Sequence, residues 1–170
     1  MSTGDIDDRL GPEGRLEELR KEYPDLDNYL TGLTSIVVNR DYDIPYTAGI
    51  STDGLTVYID RRLNLDLDGK DLTPAVMTHE CVEWALREFC SIGEDYQYDP
   101  TGHRLANRAE MEVAEHILGR GQEAWDLYDD FMDPQVRRIE HAKIEKVPSD
   151  LALYPYEGTA YLRRLKKAMT

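Results

Sequence analysis

The sequence predicts an α+β fold: a small antiparallel sheet followed by a helical subdomain of about four to five helices. Three observations carry that expectation. Residues 34–65 are the one stretch rich in β-branched and alternating apolar residues. From Thr73 onward the apolar residues recur at helical spacing. The length, 170 residues, suits a single domain large enough to bury a core.

Residues 1–12 ("MSTGDIDDRLGP") are polar, acidic and without period, and read as a flexible acidic arm ahead of one domain over 13–170. "EGRLEELRKEYPDL" places Leu16 and Leu19 on a short helix that Pro24 should stop. Ile36 to Val38 form a β-branched run. Beyond it, Asp53-Gly54 marks a turn, and Leu55, Val57 and Ile59 alternate with Thr56, Tyr58 and Asp60. These segments predict two or three antiparallel strands, with "LDLDGKD" as a loop. That loop is rich in aspartate but lacks the distal glutamate and spacing of an EF-hand, so a plain turn is expected rather than a calcium site.

Thr73 as N-cap and Pro74 in the first turn open a helix over 74–90. A tyrosine-bearing loop, "SIGEDYQYDPTG", separates it from a second helix over 103–118, closed by Gly119 and Gly121. A third helix is expected from Glu123 to Met132, where Pro134 breaks or restarts it. "PQVRRIEHAKIEKV" reads as a fourth that ends at Pro148, and "YEGTAYLRRLKKAM" as a basic closing helix.

The formal net charge of -14 argues against direct nucleic-acid binding, which needs clustered Lys and Arg. It leaves room for a basic protein partner. No apolar run is long enough to span a membrane, and the acidic start lacks the basic flank and apolar block of a secretory signal, so a cytoplasmic protein is expected. Cys81 and Cys90 fall on opposite sides of one helix and should be unpaired, reduced thiols.

The chemistry concentrates in "MTHECVEWALREF" (77–89) and "HRLANRAEMEV" (103–113). On a wheel of about 100° per residue, His79 and Glu83 lie about 40° apart at the rim of the sector formed by Val82, Ala85, Leu86 and Phe89. Glu80 lies farther round. On the second helix, His103 and Glu110 fall within the apolar face set by Ala106, Val113, Ala114 and Ile117. A buried carboxylate there needs compensation. A metal shared with His79 and Glu83, or a hydrogen bond to a metal-bound histidine, would supply it. A salt bridge from Arg87 or Arg108 is the competing explanation. The expected ligands are therefore His79, Glu83 and His103, with Glu110 either completing the set or orienting it, since the last two lie about 10 Å apart along their helix. Tyr96 and Tyr98 are candidates to bond an oxyanion, although packing or exposure is the commoner fate of such residues. His116 and His141 read as surface residues, and Trp84 and Trp125 as core or interface anchors.

"THECVEWAL", followed after the loop by "HRLANRAEMEV", resembles the core of zincin-type metallopeptidases over about residues 55 to 118. It is also similar to a group of uncharacterised phage and prophage proteins in which a His-Glu-x-x-Glu helix precedes a helix starting near His. The resemblance implies a peptidase-like hydrolase acting on a peptide or protein, with a divalent metal, zinc first, and Glu80 as general base. Glu83 stands where the zincin pattern has its second histidine, and this harder donor admits iron or manganese. The alternative is a non-enzymatic, phage-derived acidic binding protein in which the His/Glu cluster is structural.

Overall fold

The computed structural model describes residues 12–93, 100–119 and 121–169. The acidic arm expected over 1–12 and the loop tyrosines Tyr96 and Tyr98 lie outside them, apart from Pro12. Among the described residues the fold is α+β: six α-helices, a three-stranded sheet and a two-stranded ribbon.

α1 (Pro12–Glu22) ends before Pro24, as the sequence predicts, but the proline also opens α2 (Pro24–Thr31), which the sequence reading missed. A proline at the first helical turn removes an N–H that would have had no partner there. α2 is amphipathic over only eight residues, too short for periodicity to stand out.

β1 (Val37–Asn39), β2 (Ala48–Ile50) and β3 (Thr56–Ile59) form a sheet of order β1-β3-β2. β2 and β3 make the expected antiparallel hairpin around Asp53-Gly54, whereas β1 pairs with β3 in parallel, which corrects the all-antiparallel expectation. The reason is geometric. The tight turn gives one edge of β3 to β2, so β1 can reach only the other edge, and there it runs in β3's direction. Gly54 takes φ +72°, and a Cβ on it would lie 2.5 Å from the Trp84 ring. The turn thus closes directly onto α3 (Thr73–Cys90). Leu55 belongs to this turn and is exposed; β3 buries Val57 and Ile59 toward the main core and Tyr58 toward a smaller one on its other face.

"LDLDGKD" folds as a ribbon of β4 (Asp66–Leu67) and β5 (Lys70–Asp71). Asp68 and Gly69 both take positive φ, the signature of a two-residue hairpin turn. Thr73 lies inside α3 rather than capping it; its N–H donates to Asp71 Oδ1 at 2.9 Å. α3 packs on the sheet and, antiparallel along its length, on α4 (Thr101–Leu118). Gly119 terminates α4 at φ +69°.

α5 (Gln122–Glu140) continues without interruption through Pro134, replacing the two helices expected there. Ala124, Tyr128, Met132 and Ile139 keep one buried face across the proline. Pro134 and Asp130 are both exposed, so the carbonyl left without its helical bond faces water. Residues 143–148 have no regular secondary structure, where a helix was expected. They return along the sheet, where Asp43 N–H donates to Lys146 O at 2.7 Å and Ala152 N–H to Ile50 O at 2.8 Å. Gly49 makes this return possible, because a Cβ there would stand 2.8 Å from Leu151 and 3.0 Å from Tyr156. α6 (Ala160–Ala168) is the expected basic helix, anchored by Leu165. No helix among the described residues is long and apolar enough to cross a membrane.

Candidate metal centre

α3 and α4 bring the sequence-predicted residues together in antiparallel register. His79 Nε2 lies 3.1 Å from Glu83 Oε2, and His103 Nδ1 lies 3.3 Å from the same oxygen. His79, Glu83 and His103 each offer a ligand atom within 4.8 Å of the others, and the three could hold a metal ion. The two imidazoles stand edge to face, with ring centroids 4.9 Å apart. Their helical spacing explains the convergence: one α3 turn places His79 and Glu83 side by side, and the hairpin lays the start of α4 opposite Glu83.

Glu110 is placed on the far side of His79. Its Oε2 lies 2.8 Å from His79 Nδ1, and its Oε1 accepts a short hydrogen bond from the Tyr128 hydroxyl of α5. Glu110 thus meets His79 at the ring nitrogen that faces away from Glu83. Neither arginine proposed as its competitor plays that part. Arg87 lies over the Tyr154 ring, 4.0 Å from its centroid, and Arg108 Nε lies 3.3 Å from Glu112. Tyr128 was not singled out in the sequence. Its partnership with Glu110 crosses 18 residues between different helices, and its only sequence signal is membership of the α5 apolar stripe.

One atom lacks what its surroundings demand. Glu83 is 9% exposed, and its buried Oε1 has no hydrogen-bond partner. A desolvated carboxylate oxygen with nothing to accept from is costly, and a cation beside it would relieve that cost. Two imidazole nitrogens and one carboxylate oxygen form a donor set suited to a catalytic zinc site with an open position. The same set suits iron.

The electrostatics follow from burial and proximity. Burial alone would lower the His79 pKa, but the Glu110 and Glu83 carboxylates override it and hold the ring protonated well above the ordinary histidine value. Burial raises the Glu83 carboxyl, yet the two imidazoles bring it down to about 2. Glu80 moves the other way: burial lifts it to about 7, with Glu83 and Glu110 adding and His79 opposing. A carboxyl poised near neutrality can both accept and return a proton.

These groups form one wall of a cavity of about 760 Å³. α5 forms another with Trp125, Tyr128, Asp129, Met132, Asp133 and Val136, a single helical stripe, and Tyr46 contributes from the bend ahead of β2 and Pro155 and Tyr156 from the returning chain. Tyr46 sits at φ +66°, stacked on Tyr156 with centroids 6.2 Å apart. His116 and His141 are exposed, Trp84 is buried on Tyr29, and Cys81 and Cys90 are free thiols.

Comparison of the chain with family models, with curated proteins and with solved structures finds no match.

Proposed function

We propose that this chain is a metal-dependent hydrolase of peptidase type, with His79, Glu83 and His103 as metal ligands. The observation that supports it most is Glu83, in a cavity wall with Glu80: its Oε2 lies within reach of both imidazoles while its buried Oε1 has no hydrogen-bond partner. Zinc is the first choice of metal, with iron or manganese as alternatives.

A divalent cation held there would supply Lewis acidity and a water acidified toward neutral pH. Glu80 accepts the proton of the attacking water and delivers it to the leaving amide nitrogen, a task its near-neutral carboxyl suits. Glu110, steadied by Tyr128, fixes the orientation of His79 and keeps its Nε2 directed at Glu83. The neighbouring cavity has room for a peptide segment.

The second reading, a non-catalytic acidic protein that docks on a basic partner, has one supporting observation: His79 alone already ties Glu83 to Glu110. Zinc-loaded protein incubated with a mixture of quenched fluorescent peptides separates the two. Turnover that falls about 10² to 10⁴-fold in Glu80→Gln, with metal content unchanged, is the expected result. Turnover indifferent to that substitution, or no turnover of any peptide by the loaded protein, would overturn the hydrolase reading.

A further inference from the structure

Twenty of the 170 residues are Lys or Arg, yet none of those among the described residues lines the cavity that holds the candidate metal centre. Carboxylates do: Glu80, Glu83 and Glu110 on the α3 and α4 side, and Asp129 and Asp133 on α5. The first three have roles in the cluster. The two aspartates do not, since they belong to the opposite wall and bond to none of its members.

Asp129 has no ion-pair partner among the described residues. Asp133 has only Arg137, at 3.9 Å and with both side chains largely in water, a pair that screening leaves weak. One helical turn separates Asp129 from Asp133, so both project from the same stripe as Trp125 and Tyr128. Asp129 is held above the ordinary carboxylate value by desolvation, then by Asp133, Glu110, Asp126 and Asp130. The cavity lined by Glu83, whose buried Oε1 has no hydrogen-bond partner, thus carries carboxylates on both its α3–α4 wall and its α5 wall, and exposed Tyr46 and half-buried Trp125 offer aromatic surface beside them.

We infer that this cavity selects peptides bearing a lysine or arginine side chain, whose cationic head is received by Asp129 and Asp133 while its aliphatic stem lies on the aromatic wall. The inference rests on the hydrolase reading for the peptide nature of the ligand. Its chemistry is that of a long side chain with an apolar stem and a charged tip. An ammonium or guanidinium entering between like charges relieves their repulsion, whereas a carboxylate adds to it.

The test is binding, measured apart from turnover. Zinc-loaded full-length protein is titrated with acetyl-Ala-Ala-X-Ala-Ala-amide peptides, X being Lys, Gln or Glu, at low salt. The lysine peptide should bind about tenfold more tightly than the glutamine peptide, and the glutamate peptide most weakly. Asp129→Asn combined with Asp133→Asn should bring lysine down to the glutamine level. Asp126→Asn with Asp130→Asn removes the same charge from positions of the same helix that do not line the cavity and should leave the preference intact. Equal binding of the lysine and glutamine peptides, no binding of any peptide, a preference that survives the cavity pair, or one lost equally in the control pair would overturn the inference. Preference without hydrolysis would remove the catalytic reading and support the cationic subsite; hydrolysis without preference would do the reverse.

Discussion

Asp43 and Asp60, at 0% exposure, are buried more completely than Glu83 at 9%, yet among these three only Glu83 keeps a buried side-chain oxygen without a hydrogen bond. Asp43 accepts from Arg61 Nε at 2.7 Å and from the N–H groups of Glu145 and Lys146 at 2.8 and 3.0 Å. Asp60 accepts from Arg62 Nε and a terminal guanidinium nitrogen at 2.8 and 2.6 Å, and from Ile44 N–H at 2.8 Å. Guanidinium forks and backbone amides satisfy these two aspartates fully, and in doing so clasp the returning 143–148 segment to the sheet. Around Glu83 the compensating groups are imidazoles, which can exchange a proton for a metal. One cluster closes on itself as a structural fastening; the other is left incomplete on the side of a cavity.

The largest effect should come from breaking the closed cluster. Arg62→Ala leaves Asp60 buried without its main counter-ion and should lower the unfolding free energy by roughly 3 kcal/mol, read by urea denaturation. The folded fraction should still bind zinc with wild-type affinity; a loss of affinity would show that the two clusters are coupled.

Next comes metal-linked stabilisation. Zinc at about 100 times its dissociation constant should add about 2.7 kcal/mol to wild-type stability. The same increment should appear in Arg62→Ala and vanish in Glu83→Gln. An increment that persists in Glu83→Gln would place the ion elsewhere.

Tyr128→Phe removes only the hydroxyl that steadies Glu110, and should weaken zinc binding about tenfold while leaving the stoichiometry unchanged. Unaltered affinity would reduce Tyr128 to a packing residue.

The smallest effects are those of pH, and they run in opposite directions in the two clusters. Burial raises the Asp43 carboxyl, but the Glu145 and Lys146 amides and the arginines outweigh it and leave it below the ordinary value. Its contribution is therefore present above the ordinary carboxylate range and lost as pH falls through the depressed value. His79 is raised in the ion-free protein, so its contribution is complete below the ordinary histidine value and lost as pH rises through the raised one. Zinc must displace that proton, so the zinc increment should grow with pH. Urea titrations across pH with and without zinc check both signs.

Much of the candidate site was legible because it obeys local periodicity. His79 and Glu83 are neighbours by helical spacing, and His103 follows once α3 and α4 are recognised as a hairpin. Glu110 could be flagged as a carboxylate on an apolar face, but its partner Tyr128 comes from another helix, and no spacing rule reaches across that distance. The α5 wall was obscured by Pro134, read as a break, although its solvent-facing position makes the interruption tolerable. Apart from the local Asp60–Arg62 pair, the parallel pairing of β1 and the clasp at Asp43 and Asp60 depend on contacts across 16 to 103 residues, where composition carries no register.

The most direct test is calorimetric titration of metal-free full-length protein with zinc, run in parallel on Glu83→Gln. One ion per chain, with protons released on binding and affinity at least about 100-fold weaker in the variant, is the predicted result. No saturable binding by the wild type, or binding unchanged in Glu83→Gln, would contradict it.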